Sequence, residues 1–333
     1  MSRVAFTGAL MALLAALLAC VANPPTESAQ SLKILVATPG VYRLTRGQLQ
    51  SAGFAPIPAN LARLHVTHRE ADIPIALEQN GDGFAITFYA APQLSAYSSA
   101  DVYWLALGDT DGARITTRAV EPPRELFAVT YTTTLTLAEN RLYSASPFDG
   151  VHWFWQSFTA PVTRTLTTTL TAVGAGDATL RVALAGATEG AHRVEVLLND
   201  QPVGEARWNG RASFQFTATT NAVRVGENAI TLRAPGAEDQ AEVNLLDAVT
   251  LTYPREFVAQ DDTLTFRGGA QSIRARGFRA LQPLVYDITD AEHPQQLGGV
   301  TLARDGDTTT LAFHDALPDR AYVAFAPSAA QSP

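Results

Sequence analysis

Residues 192–210 read HRVEVLLNDQPVGEARWNG. Val194, Val196 and Leu198 alternate with Arg193, Glu195 and Leu197, the period of two that a strand shows when one face is buried. Asn199 and Asp200 then supply turn chemistry. The pattern returns in ASFQFTA at 212–218, NAITLRA at 228–234 and EVNLLDAVTLTYPREF at 242–257. Phe214 and Phe216, Ile230 and Leu232, and Val249, Leu251 and Tyr253 mark the buried face, with turns at Asn209-Gly210 and 226–228. Successive half-buried strands joined by short turns predict an antiparallel sandwich, jelly-roll-like, over 160–257.

Working outward, the all-β pattern continues on both sides. Pro122-Pro123 marks a boundary. Before it, LKILVATPGVYRL (32–44), three strands within 61–91 and a strand carrying Tyr103, Leu105 and Leu107 build a β-rich domain over 32–122. Thr45 followed by Gln48 has capping-box spacing, and Gly53 closes a short helix over 46–52, the one convincing helix in the chain. Residues 123–159 are read as connecting strands that end in the aromatic cluster HWFWQSF at 152–158. Its four rings either pack one domain on the next or form an exposed platform for a sugar or peptide. Residues 258–326 form a smaller module whose strand spacing suggests an immunoglobulin-like sandwich, with Asp305-Gly306 as a hairpin turn. The tail, 327–333, reads as a linker.

Composition narrows the function classes. The 333 residues carry a formal charge of −8, and all but one of the 24 basic residues, Lys33, are arginine. No basic stripe follows a phosphate backbone, so nucleic acid is not an expected partner. Arg3 followed by the apolar run to Leu18 has the layout of an export signal over 1–20. Leu17-Leu18-Ala19-Cys20 has lipobox form, which would make Cys20 a lipidated N-terminus; cleavage a few residues later as an ordinary signal is the other reading. Residues 21–31, with Pro24-Pro25, read as a tether. The expected location is the extracellular side of a bacterial envelope, with membrane contact only through a lipid at Cys20. Cys20 is the one cysteine, so no intramolecular disulfide is available and the core must supply stability.

The order of these pieces resembles the region ahead of the catalytic domain in gingipain-like cysteine peptidases, including bacterial proteins related to the sortase component of type IX secretion. The residues that carry it are VATPGVYRLTRGQLQSAGF at 36–54, ADVYWLALG at 100–108, HRVEVLLNDQPVGEARWNG at 192–210, DAVTLTYPREF at 247–257 and GFRALQPLVYDITDAEHPQQL at 277–297. Each motif is loose alone; their shared order covers most of 32–325. In that family an α/β catalytic domain holding a histidine and a cysteine follows a segment like AYVAFAPS. The resemblance therefore implies a non-catalytic region that positions or shields a peptidase domain, joined or separate, or holds an envelope protein. No catalytic residue carries over. The chain's end at Pro333 is read as a truncated reading frame or a natural stand-alone copy, with the linker-like tail favouring the first.

Candidate sites are few. His65 and His68, three apart on a strand, point to opposite faces and cannot share an ion, so both are expected as surface histidines. Asn80, Gly81 and Asp82 look like a fragment of a calcium loop but lack its remaining ligands, so a hairpin turn accounts for them. No cofactor is expected, and a structural calcium ion finds no support in the sequence. A glycan pocket on the jelly roll can be built from Trp208, His192, Asp200 and Asp247, or from Trp153 and Trp155, the indoles stacking on a sugar ring. Against it stands plain core packing of Trp208 and His192. A carbohydrate-binding module of an envelope protein is thus the alternative function.

Overall fold

The computed structural model describes residues 31–56, 58–81, 83–95, 97–145, 152–236 and 240–333. The export signal, Cys20 and Asp82 lie outside them. Among the described residues the protein is nearly all β, built as three sandwich modules with one short α-helix.

The N-terminal module comprises β1 (Ser31–Val36), β2 (Gly40–Thr45), α1 (Arg46–Ser51), β3 (Leu64–His68), β4 (Ala71–Ile73), β5 (Ala76–Asn80), β6 (Gly83–Ala90) and β7 (Asp101–Leu107). Sheet β1-β7-β3-β4 packs on sheet β2-β6-β5 through Ile34, Val66, Tyr103, Leu44, Ile86 and Phe88. The capping box forms as the spacing predicts. Gln48 N–H donates to the Thr45 hydroxyl, and the Gln48 side chain accepts from Thr45 N–H at 2.8 Å. Four strands, β3 to β6, replace the three expected between 61 and 91. Pro74 has no N–H to give a ladder, so the run breaks there.

After β8 (Thr116–Ala119) the chain enters the jelly roll: β9 (Thr130–Ala138), β10 (Leu142–Tyr143), β11 (Trp153–Phe154), β12 (Gln156–Thr159), β13 (Val162–Leu170), β14 (Ala178–Gly186), β15 (Ala191–Leu198), β16 (Gln201–Asn209), β17 (Ser213–Thr220), β18 (Gly226–Ala234) and β19 (Val243–Glu256). One sheet runs β12-β19-β14-β17, with β9 beside the second half of β19; the other runs β13-β18-β15-β16. Between them lie Val194, Val196, Leu198, Ile230, Leu232, Val249 and Leu251, the inward positions of the alternating runs. Asn199 and Asp200 make the expected tight turn with φ of 52° and 66°. Residues 226–228, expected as a turn, instead begin β18: the buried Asn228 side chain takes Arg224 N–H and donates to the Arg224 and Gly226 carbonyls, fixing the chain from inside.

The C-terminal sandwich holds β20 (Thr263–Gly268), β21 (Gln271–Phe278), β22 (Leu284–Asp287), β23 (Gln295–Gly298), β24 (Thr301–Asp305), β25 (Thr308–Asp315) and β26 (Arg320–Phe325). Its larger sheet, β20-β26-β22-β23-β8, recruits β8, which pairs parallel with β23. The reading that kept 116–122 with the N-terminal domain therefore changes: this strand completes the C-terminal sheet. Phe127 bridges Ser272 on the way into the jelly roll and Val258 bridges Arg276 on the way out, both parallel. The jelly roll is thus an insertion in the C-terminal sandwich, and Arg255 fastens its base by donating to the Tyr131 hydroxyl at 2.6 Å.

The first and last modules pack directly. Val41 and Tyr89 of the N-terminal module meet Tyr286, Ile288, Val323 and Phe325. Tyr286 and Phe325 are nearly inaccessible and meet edge to face at 4.9 Å. Each fully buried side chain of this size contributes about 2–3 kcal/mol. The tail is not a free linker. Gln331 N–H donates to the Val41 carbonyl at 2.8 Å, and Arg43 N–H donates to the Gln331 carbonyl at 2.9 Å, adding a short parallel bridge beside β2.

Candidate functional site

Antiparallel pairing of β15 with β16 sets His192 opposite Trp208. Their rings stack at 4.8 Å and 9°, and Phe214 covers the other indole face at 5.3 Å and 10°. His192 Nδ1 lies 2.8 Å from Asn244 Oδ1 and Nε2 3.1 Å from the Thr188 carbonyl. Asn244 in turn donates to Glu242, which also takes Arg193 N–H. At Gly186 a Cβ would lie 2.4 Å from His192 Nε2 and 2.3 Å from the Gly210 carbonyl, so the packing demands glycine there. Trp208 is only 8 % exposed, and with both ring faces covered it offers no stacking surface to a sugar.

The other proposed members are elsewhere. Asp200 sits in the turn beyond the far end of β15, about 25 Å from His192 by the strand rise. Asp247 occupies a bulge of β19, opposite the register shift between Ala183 and Leu184, where burial pushes its carboxyl up. The structure brings His192 and Trp208 together and leaves Asp200 and Asp247 out. Trp155 packs on the jelly-roll core, with its N–H donating to the Leu246 carbonyl from the main chain at 2.7 Å. Trp153 is half-buried and meets Tyr143 at 5.4 Å and Tyr97 at 6.2 Å, both edge to face. Tyr97 is 83 % and Tyr143 55 % exposed, so an aromatic cluster does face solvent where the N-terminal module's 91–100 loop meets the β10–β11 hairpin. Phe154 and Phe158 pack inside the jelly roll rather than between domains, and Trp153 reaches toward the N-terminal module through Tyr97. Tyr97 and Tyr143 lack any local sequence signal, because only the fold brings them together.

His65 and His68 alternate as the spacing predicts, but His68 is buried rather than on the surface. It stacks on Tyr103 at 4.3 Å and its Nε2 lies 2.9 Å from Asp101. Burial pushes the Asp101 carboxyl up, yet Gln93 N–H, the His68 ring and Val102 N–H outweigh it and hold the pKa at about 2. Among the described residues no three His, Cys, Asp or Glu side chains gather as a metal site.

Two clefts of about 490 and 500 Å³ flank the loop that joins β20 to β21. In the second, Ser272 Oγ lies 3.3 Å from His314 Nδ1. That hydroxyl is buried and takes Arg124 N–H at 2.8 Å, so it fastens the incoming chain and is not presented as a nucleophile. Nearby, Arg118 of β8 bridges two buried carboxylates, Asp287 at 2.7 Å and Asp315 at 2.5 Å. Arg320 also meets Asp287, and the Tyr322 hydroxyl donates to Asp315 at 2.7 Å. Burial alone would raise both carboxyls. Thr289 and Arg320 at Asp287, and Arg118, Leu317 N–H and Tyr322 at Asp315, hold them low instead. This network locks β8 onto the sandwich.

No family model matches the sequence, and no curated protein matches it significantly. Among solved structures, dimeric latent PorU from Porphyromonas gingivalis superposes with a TM-score of 0.73 at 17 % identity, over 92 % of this chain and 33 % of PorU. The fold is shared with PorU. At that identity the likeness shows the fold alone, and this chain spans about a third of PorU. A family 36 carbohydrate-binding module in complex with calcium and xylotriose aligns with 36 % of this chain and 98 % of its own, at 15 % identity and a TM-score of 0.25. A family 35 module gives 0.24 at 17 % identity, over 39 % of this chain and 93 % of its own. Scores that low carry no argument about this protein.

Proposed function

We propose that this chain is the non-catalytic front of a secreted gingipain-like cysteine peptidase, related to the type IX sortase proteins, and that its work is to space, shield or orient a catalytic domain or to hold an envelope partner. The observation that carries the reading is the PorU likeness over 92 % of the chain, reached with all three modules together. The ordered motifs at 36–54, 100–108, 192–210, 247–257 and 277–297 support it independently. So does the mechanical build. The apolar contact between the first and last modules makes one body of them, and the tail beside β2 ends where Gln48 donates to the Ser332 hydroxyl at 2.7 Å. A domain following Pro333 would leave the surface beside α1, with its direction set by that contact. In this reading the chain lies outside the cytoplasm, with Cys20 as lipid anchor; among the described residues no helix is long and apolar enough to cross a membrane.

The reading expects no peptide hydrolysis by this chain alone. The purified protein is assayed on arginyl and lysyl peptide substrates, with and without a thiol reagent. Cleavage that the reagent abolishes would overturn it. A second reading, glycan binding, rests on the exposed cluster of Tyr97, Tyr143 and Trp153. Titration with neutral oligosaccharides tests it, the heat of binding being lost in Tyr97→Ala if the cluster is the platform.

A further inference from the structure

Three clefts among the described residues border the C-terminal sandwich, and the charges that line them differ. The cleft of about 500 Å³ holds Arg124, already paired with Glu121 at 2.9 Å, and His314, whose Nδ1 lies 3.3 Å from Ser272 Oγ, beside Glu125. A third, of about 230 Å³, holds Asp261 and no cation. The cleft of about 490 Å³ is lined by Arg267 and Asp319, and among the described residues neither charge has an ion-pair or hydrogen-bond partner. Of the three, it alone presents two free charges of opposite sign.

Its walls come from two modules. Thr130, Tyr131 and Thr132 of β9 form one side, and the 267–271 loop with the Pro318-Asp319 turn forms the other. Backbone geometry holds the loop in place. Gly269 has a φ of 114°, a Cβ there would lie 2.1 Å from the Leu317 carbonyl, and Ala270 N–H donates to that carbonyl at 2.9 Å. Tyr131 is buried, and its hydroxyl accepts from Arg255 at 2.6 Å. Antiparallel pairing sets Arg267 opposite Ala321, so Asp319 lies diagonally across from it, a step of about 7–8 Å. That spacing leaves room for a small ligand between the two charges.

We propose that this cleft binds a small zwitterion of the α-amino acid type, its carboxylate on the Arg267 guanidinium and its ammonium on the Asp319 carboxylate. A guanidinium fork matches a carboxylate with two parallel hydrogen bonds, and a carboxylate accepts from an ammonium. A ligand with one charge would leave the other protein charge unmatched, and a neutral sugar would use neither. The hydroxyls of Thr130 and Thr132 and the amide of Gln271 add neutral donors and acceptors that suit a peptide bond. The volume lies within the range of about 300–1,000 Å³ that small-molecule sites occupy. Both charges are exposed, so each ion pair contributes little and the dissociation constant is on the order of a millimolar. Because one wall belongs to the jelly roll and the other to the sandwich, a bound ligand restrains the insertion against its host. The assignment holds whether or not a peptidase domain follows the chain.

Calorimetric titration of the full chain with L-alanine and with L-alanyl-L-alanine tests it. Both carry the same charge pair, and the tighter binder tells whether a free amino acid or a short peptide is the source. N-acetyl-L-alanine and L-alaninamide, each lacking one charge, are expected to bind about fivefold more weakly or not at all. Arg267→Gln and Asp319→Asn each weaken binding of the zwitterion about fivefold or more, with an unchanged circular dichroism spectrum. Arg164→Gln, on an edge of the jelly roll's other sheet, leaves it unchanged. At saturation, amide exchange slows at 130–132 and at 267–271 together. Absence of binding by either zwitterion up to about 20 mM would overturn the assignment. So would equal binding of a singly charged derivative, full binding by Asp319→Asn, or slowed exchange on one wall only.

Discussion

The C-terminal sandwich and the jelly roll bury polar groups by different chemistry. The sandwich encloses ions: Arg118 and Arg320 against Asp287 and Asp315, with the Tyr322 hydroxyl beside them. Inside the jelly roll, amides and an imidazole do most of that work, Asn228, Asn244 and His192, beside the buried carboxylate of Glu242. On its outer face Arg193, Glu195, Glu205, Arg207 and Arg233 form surface pairs. The difference follows from what each module must hold. Parallel pairing with β23 gives β8 only four residues of ladder, so its attachment needs a strong added contact. The jelly roll's main strands, β9 and β13 to β19, run for eight to fourteen residues and are held by those longer ladders.

The sharpest way to break the contrast is Arg118→Ala, which leaves two buried carboxylates with one fewer cation. Stability should fall by about 3–5 kcal/mol in chemical denaturation. An equal loss from a jelly-roll amide would remove the distinction. Asn228→Ala, which frees Arg224 N–H and two carbonyls, is expected to cost about 1–3 kcal/mol by the same measurement.

Acid should separate the modules. Asp287 and Asp315, like Asp101 in the first module, have pKa values below their unfolded ones. The stability they supply is complete above the unfolded value of about 3.9 and is lost as pH falls through the folded values. Asp247 in the jelly roll has the opposite shift, so protonation favours its folded form as pH falls toward the unfolded value. Amide exchange at pH 2–3 should therefore quicken first in the outer modules, and Asp247→Asn should stabilise the jelly roll near neutral pH but not near pH 3. The smallest effect is expected from Glu205→Gln. Its partners Arg193 and Arg207 are exposed, and the melting temperature should not move.

Much of the fold was legible because burial on one face writes itself into alternate positions. Val194, Val196 and Leu198 could be assigned inward from sequence, as could the helix cap at Thr45 and the turn at Asn199. β8 could not. Its sequence, TTRA, has no apolar alternation, since it adds to a sheet edge and is held through Arg118, whose partners lie 169 and 197 residues away. Gln331 was illegible for the same reason, being held by main-chain bonds to β2 and by its side chain, which accepts from the Thr38 hydroxyl 293 residues away at 2.8 Å. Of the site residues, the His192–Trp208 pair follows from strand register. Separating Asp200 from them needed only the length of β15, whereas the meeting of Tyr97 with Trp153 depends on how two modules dock.

The bridge between Gln331 and β2 also sets how the molecule would carry traction. A pull applied at the C-terminal end is borne by Gln331, α1 and the packed outer modules, while the inserted jelly roll, attached at both of its ends to the same sandwich, stays off the load path.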